Sequence, residues 1–155
     1  MDLRLPIRMV VMFITTVHFK LPTIQQPIHW IKVYPIRHRS PKAHVLILNN
    51  YKGFEGGSQQ DRPGADIDEE LMRQLWEGFQ CEVKVEKNQT AEEMLESLVK
   101  FSKSDIHEKC DFCVAIIMSH GGLVKGNGVF YGIDNATIEM IRLLSYLKTQ
   151  KTVFI

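Results

Sequence analysis

The residues with the clearest chemical potential are Ser119, His120 and Gly121, which directly follow an apolar run over residues 112–118. The run is short and rich in branched residues, which predicts a strand buried on both faces. In an open parallel sheet, ligands bind beyond the carboxyl ends of the strands. An imidazole there can act as a general base, and the following glycine leaves a backbone N–H open to an oxyanion. The alternative is an ordinary loop histidine, and position alone leaves both open.

Arg62 is the second candidate, because it lies just before a predicted helix in the segment Asp61–Asp68. A guanidinium presents two parallel N–H donors that match the two oxygens of a carboxylate, so Arg62 is a candidate carboxylate ligand. Most arginines are solvated surface residues, and that alternative also stays open.

The three cysteines, Cys81, Cys110 and Cys113, offer a weaker case for chemistry. The pair Cys110 and Cys113 lacks the second Cys or His pair that a four-ligand zinc site needs. It also precedes a strand, whereas a redox pair is stabilised at the start of a helix. We therefore predict buried structural thiols, no metal and no cofactor, since no glycine-rich phosphate loop is present either. An odd number of cysteines in a chain of this size favours a reducing, cytoplasmic location.

The elements that would position these residues alternate between strands and helices. Such an order builds a mostly parallel sheet with helices on both faces, so the predicted fold class is α/β. A long loop over residues 51–64 interrupts it, and loops of that length in a compact domain are usually functional or disordered. Strands are predicted at residues 44–50, 81–86, 112–118 and 152–155, and helices at residues 66–79, 90–101 and 137–146.

Local patterns set the details of these elements. The first helix carries an apolar stripe with a spacing of four, and Asp66 is the predicted N-cap. Thr90 and Glu93 form a capping box at the start of the second helix. Asn127 and Gly128 predict the turn of a small hairpin between apolar arms. The stripe consists of Ile67, Leu71, Leu75 and Phe79, and the inward residues of the second helix are Met94, Leu95, Leu98 and Phe101.

The chain of 155 residues with a net charge of +1 suits one domain and gives no argument for nucleic acid or an anionic membrane. We predict a leader over residues 1–33, poorly ordered or in short elements, and a domain over residues 34–155. Arg4 and Arg8 precede an apolar run in a faint outline of a signal peptide, but no cleavage site follows. The run is also shorter than the ~20 residues that span a bilayer. Prolines in the leader argue against a helical bundle.

Four motifs in this order resemble the caspases, over most of the chain from Tyr34 onward. Singly each motif is modest, and together they imply a caspase-like, flavodoxin-like sheet. The motifs are the strand His44-Val-Leu-Ile-Leu-Asn-Asn50, the segment Arg62-Pro-Gly-Ala-Asp-Ile-Asp68, the strand end Ile116-Ile-Met-Ser-His-Gly121 and the strand Lys151-Thr-Val-Phe-Ile155.

The resemblance implies roles for three of these residues. His120 would be the catalytic histidine, Gly121 would supply half of the oxyanion hole through its backbone N–H, and Arg62 would bind the aspartate that precedes the cleaved bond. The substrates would be proteins cleaved after aspartate by a Cys/His mechanism, in processes such as apoptosis.

The family's catalytic cysteine segment would follow the last strand, and the sequence ends at Ile155. The resemblance therefore implies a large-subunit region, truncated before the nucleophile, incomplete at one edge of the sheet and inactive as it stands. We favour a piece of an active protease with a small-subunit partner. Two alternatives remain: an inactive regulator that binds other caspases, and an unrelated flavodoxin-like binding module.

Overall fold

The computed structural model describes residues 8–14, 40–54, 56–57, 59–147 and 151–154. Five strands form a parallel sheet in the order β3-β2-β4-β1-β8, and three form an antiparallel sheet in the order β5-β6-β7. The predicted α/β class is confirmed. The elements are β1 (Arg8–Ile14), β2 (Ala43–Asn49), α1 (Ala65–Gly78), β3 (Glu82–Lys87), α2 (Ala91–Ser102), a 3-10 helix (Asp105–Lys109), β4 (Phe112–Met118), β5 (Gly121–Val124), β6 (Asn127–Tyr131), β7 (Thr137–Glu139), α3 (Met140–Leu147) and β8 (Lys151–Phe154).

The core lies on both faces of the parallel sheet, because β4 and, apart from His44, the interior of β2 are apolar. Successive side chains of a strand point to opposite faces, so alternate residues of each strand supply each half of the core. On one face, Val45, Ile47, Val114 and Ile116 pack with Met72 and Trp76 of α1. On the other, Leu46, Leu48, Ala115 and Ile117 pack with Met94 and Leu98 of α2 and with residues of β6, β7 and α3.

The N-terminus of α1 differs from the prediction. The helix begins at Ala65, and Gly64 occupies the N-cap position with φ 85°, where no side chain caps the helix. Asp66 therefore lies inside the first turn, where its charge suits the helix dipole. A glycine serves here because the left-handed conformation costs it no steric strain.

The apolar stripe of α1 also differs from a core-facing amphipathic helix. Ile67, Leu71, Leu75 and Phe79 are 50–64% exposed. The helix instead turns Ala65 and Glu69, both buried, and the partly buried Met72 and Trp76 toward the sheet. Glu69 is tolerated there because Asn49 and Lys87 both bind its carboxylate, at 3.0 and 2.7 Å.

The hairpin is present, but its turn lies two residues before the predicted one. Val124 pairs with Asn127, so Lys125 and Gly126 form the two-residue loop. Their φ angles of 52° and 82° are the positive values that such tight hairpin loops require.

The third helix is shorter than predicted at its start. Residues 137–139 form β7, which pairs with β6 from Tyr131 to Val129, and the helix begins at Met140. Pairing with β6 overrides the helical periodicity there. The other predicted strands agree with the observed ones to within one residue, and the capping box of α2 is confirmed.

Strand β1 was not predicted as a strand. Residues 8–14 of the expected leader lie between β4 and β8, in register from Arg8 with Phe112 to Ile14 with Met118. Residues 1–7 and 15–39 lie outside the described part of the chain. Within the described residues, no helix is both long and apolar enough to cross a bilayer.

Candidate active site

The carboxyl ends of β2 and β4 lie side by side and carry the two candidate residues. Asn49 pairs with Met118, and the backbone N–H of Asn50 donates to the Met118 carbonyl at 2.8 Å. The 51–64 loop leaves this edge from β2, and His120 follows β4 at the same edge. The structure therefore places Arg62 and His120 on the same side of the sheet.

The imidazole of His120 is oriented by the 51–64 loop. Its Nε2 lies 2.6 Å from the carbonyl oxygen of Gln60. A carbonyl can only accept, so Nε2 carries the hydrogen and Nδ1 is the nitrogen that can take up a proton. The ring of Phe54, which is buried, packs edge-on against the imidazole with 4.9 Å between ring centroids.

Arg62 is held at the base of the same loop. Its backbone N–H donates to Tyr51 at 2.8 Å, and its Nη1 donates to the Asn50 carbonyl at 3.0 Å. Among the described residues its Nε, which is buried, has no hydrogen-bond partner. Burial lowers the pKa of Arg62, and the nearby Asp68 carboxylate opposes that change. A buried donor without a partner is costly.

Gly121 begins β5, and its backbone orientation follows from the hairpin ladder. The Tyr131 N–H donates to the His120 carbonyl at 3.0 Å. Hydrogen-bonded and non-hydrogen-bonded pairs alternate along an antiparallel ladder, so the next pair, Gly121 with Phe130, is non-hydrogen-bonded. The Gly121 N–H therefore points away from β6 and is not used in the β5–β6 ladder.

Two asparagines at the end of β2 fix the surroundings of the loop, and both are buried. The Asn49 amide nitrogen donates to the Ala65 carbonyl at 2.9 Å and to Glu69. Asn50 exchanges two hydrogen bonds of 2.8 Å with the Gln89 backbone. Sequence analysis noted the paired asparagines without assigning them this bracing role.

Sequence analysis also missed Gln60 and Phe54 as neighbours of His120. Gln60 acts through its backbone carbonyl, so its side-chain type carries no information about the contact. The one available indication was the length of the 51–64 loop, which favours a functional segment.

The three cysteines are buried, as predicted, and none of them forms a disulfide. Burial raises the pKa of the Cys113 thiol to about 12, which makes a thiolate unfavourable. Cys113 lies seven residues before His120 along β4, or about 23 Å at ~3.3 Å per residue. Cys81 and Cys110 also lie at the amino ends of their strands. No cluster of three or more His, Cys, Asp or Glu side chains suited to a metal occurs among the described residues.

The strand β8, which resembles the one that leads into a catalytic cysteine, lies two positions away from β4. Phe154 pairs with Val11, and Val11 pairs with Ala115. Two strand spacings amount to about 10 Å. A residue that continued β8 would therefore need to cross the width of β1 to reach His120.

Comparison with known proteins identifies the family. Residues 42–155 match the family described as the caspase domain. Mouse caspase-3 is 31% identical over 109 residues, which cover 70% of this chain and 37% of that protein. Chicken caspase-2 is 34% identical over 100 residues, covering 64% and 23%. Mouse caspase-8 is 31% identical over 127 residues, covering 77% and 25%. The chain thus spans well under half the length of these relatives.

A solved structure shares the fold. The crystal structure of the Drosophila initiator caspase Dronc matches 78% of this chain and 50% of that one, with a TM-score of 0.68 and 18% sequence identity. At that identity the likeness supports the architecture and carries no further assignment.

Proposed function

This chain belongs to the caspase family, and on that premise we propose that it supplies the histidine and the substrate arginine of an Asp-specific cysteine endopeptidase. The observation that carries the proposal is the 51–64 loop. It holds the Nε2 of His120 through the Gln60 carbonyl and bears Arg62 two residues later. Family membership excludes the third hypothesis, an unrelated flavodoxin-like module.

In the proposed reaction, His120 is the acid and base. Its Nδ1 takes the proton of a cysteine thiol, and the thiolate attacks the carbonyl carbon of the scissile peptide bond. The Gly121 N–H donates to the oxygen that becomes negative. His120 then protonates the leaving amine, and a water hydrolyses the thioester that remains. Because none of Cys81, Cys110 and Cys113 can reach His120, the nucleophile must come from a segment beyond the 155 residues.

Specificity for aspartate is assigned to Arg62. The buried Nε of its guanidinium lacks a partner among the described residues, while Nη1 is tied to the Asn50 carbonyl. Nη1 thus fixes the orientation of the fork, and Arg62 as a whole is only partly buried, so an anion can reach the exposed part of the guanidinium. A short substrate carboxylate would accept from this fork in a charge-assisted bond.

The test uses the protein read past Ile155 from its transcript. It should hydrolyse the bond that follows Asp in a peptide substrate and leave intact a matched peptide with Asn at that position. His120→Ala should lower kcat by about 10²–10⁴-fold. Arg62→Ala should mainly lower kcat/KM for Asp substrates. Arg73→Ala is the matched control, since Arg73 pairs with Glu70 and Glu77 on the surface of α1, away from the candidate site. The 155-residue chain alone should show no turnover.

A second candidate function is an inactive regulator that binds other caspases. The observation that favours it is the position of β8 at one edge of the parallel sheet, where another chain can add a strand. A transcript without a downstream cysteine segment, together with recovery of a caspase on the 155-residue chain, would replace the protease proposal by this one. In either case we propose a cytoplasmic protein, because its three thiols are free.

A further inference from the structure

We propose that Asn135 is a positioning residue for His120, acting through the backbone of the 51–64 loop. The Oδ1 of Asn135 accepts from the Gln59 N–H at 3.1 Å. The carbonyl of the next residue, Gln60, receives the Nε2–H of His120 at 2.6 Å. One side-chain oxygen therefore holds the backbone one residue before the carbonyl that selects the imidazole tautomer. The inference rests on the proposed function, since it explains how the acid and base of that site is oriented.

The segment that carries Asn135 is itself firmly attached to the domain. Residues 132–136 form a turn closed by a bond from the Gly132 N–H to the Ala136 carbonyl at 2.9 Å. The Ile133 N–H donates to the Gln89 carbonyl at 3.0 Å, and Asp134 Oδ1 accepts from the Ala91 N–H at 3.1 Å. The turn is thus anchored to the start of α2, and Asn135 extends that anchorage to the loop.

The closeness of the turn to α2 is visible at Gly132 as well. A Cβ atom at Gly132 would overlap the backbone of Thr90 and Ala91. The two segments therefore pack backbone to backbone, which leaves little freedom for the turn to move relative to α2.

The Asn135 side chain also has little freedom on the loop side. A Cβ atom at Gly57 would overlap the Asn135 amide group, so the amide lies directly on the Gly57 backbone. Asn135 has φ 57°, a left-handed conformation that asparagine, aspartate and glycine adopt more readily than other residues. The position thus combines a backbone that restricts the residue type with a side chain that the loop requires.

Two other side chains, those of Asn88 and Asp61, also hold the loop. Asn88 Oδ1 accepts from the N–H groups of Tyr51 and Lys52 at 3.1 and 3.0 Å, where the loop begins. Asp61 Oδ1 accepts from Gly53 and Phe54 at 2.9 and 3.4 Å, within the loop. Asn135 differs from Asn88 because it binds the residue before Gln60, and it differs from Asp61 because it belongs to a separate turn.

The experiment compares imidazole ¹⁵N spectra of the 155-residue chain and its variants at about pH 8.5, where imidazoles are neutral. Asn135→Gly keeps the left-handed backbone and removes the acceptor, whereas Asn135→Asp keeps the acceptor. Asn127→Gly is the matched control in an exposed hairpin. His107 is an internal reference, because its Nε2 also bonds a carbonyl, that of Phe101.

We expect the Nε2–H tautomer of His120 to dominate in the parent chain. In Asn135→Gly its ratio to the other tautomer should fall about fivefold, the effect of weakening one hydrogen bond. Asn135→Asp should restore the ratio, and His107 should not change in any variant. An unchanged His120 in Asn135→Gly overturns the proposal, and so does an equal change at His107, which would indicate general loosening. Neither result depends on hydrolysis, so the positioning role of Asn135 and the proposed protease function are tested by separate assays.

Discussion

The two halves of the sheet's carboxyl edge are built in different ways. At the ends of β2 and β4, buried asparagines, the 51–64 loop and the 132–136 turn are joined by hydrogen bonds that converge on His120 and Arg62. At the ends of β1 and β8, the structure shows parallel strand pairing, and β1 lies between β4, which leads to His120, and β8. Hydrogen bonds within the chain orient Arg62 and His120 in the first half. In the second half, the contacts described are those that pair the strands.

In the proposed mechanism, this difference separates the orientation of His120 as acid and base from the supply of the nucleophile. The imidazole already has one nitrogen committed to Gln60, so its tautomer is set before any cysteine arrives. In the proposed protease, a nucleophile that follows β8 would have to cover about 10 Å across β1 to reach His120, or β1 would have to leave its place. The four predictions below test the two halves against each other, beginning with the largest expected effect.

Ile116→Ala tests whether the part of the sheet formed by β2 and β4 contains the stable core. Ile116 is fully buried in β4, so its truncation should cost about 3 kcal/mol in the free energy of unfolding. Leu123→Ala is the matched control, since Leu123 is 79% exposed in β5, and it should cost less than about 0.5 kcal/mol. Urea unfolding followed by circular dichroism measures both. Equal costs for the two variants would mean that β4 is not the centre of the core.

Val11→Pro tests the independence of the two halves. Proline removes a backbone donor from the middle of β1, so amide exchange in β1 and β8 should accelerate by about tenfold or more. Exchange in β2 and β4 residues bonded to each other should change little. Val11→Thr keeps the N–H and the branched side chain, and it should leave all rates near those of the parent. Faster exchange at Asn50, next to the site, would contradict the separation of the halves.

Thr90→Ala tests the anchorage of the 132–136 turn through the start of α2. Thr90 and Glu93 form the capping box, and its loss should destabilise the protein by about 1 kcal/mol. Thr137→Ala, at an exposed position of β7, should have a much smaller effect. Thermal unfolding compares the two variants. Equal melting temperatures would show that the capping box does not stabilise the protein.

His44, near the amino end of β2, tests whether stability depends on pH in the part of the sheet formed by β2 and β4. This effect has the smallest expected magnitude of the four. Burial lowers the pKa of His44, and the Glu82 carboxylate opposes that change, while His107 adds to it. The unfolded chain therefore takes up a proton before the folded one, and stability should fall as pH drops below about 6.5. Denaturant midpoints between about pH 7.5 and 5.5 measure this, above the range in which carboxylates protonate.

The matched variant His44→Gln isolates that contribution. Its stability should depend less on pH over the same range, because glutamine does not titrate. An identical pH dependence in the parent and the variant would show that the loss comes from another group.

Sequence patterns predicted most of the sheet because β2 and β4 are apolar at nearly every position. The same reasoning failed for α1, where a regular stripe from Ile67 to Phe79 lies outward and Met72 and Trp76 face the sheet. Periodicity identifies a face but does not say what covers it. Strand β1 was not predicted because it forms by pairing with β4 and β8, which are distant in the sequence. A local sequence pattern does not indicate such pairing.

Within the candidate site, the sequence predicted that His120 and Arg62 lie at one edge of the sheet, and it did not predict the backbone contacts that hold them. The types of His120 and Arg62 and their places after strands indicated their chemistry. The Gln60 carbonyl and the Asn135 acceptor became visible only with coordinates, since the first is independent of residue type and the second lies 76 residues from its partner Gln59.

The most direct test of the account is a nuclear Overhauser measurement between the rings of Phe54 and His120 in the 155-residue chain. The account predicts clear contacts, because the ring centroids lie 4.9 Å apart when the 51–64 loop is folded over the histidine. Imidazole contacts confined to the β5–β6 hairpin, with none to Phe54, would contradict the claim that this loop brings Arg62 and His120 to one edge of the sheet.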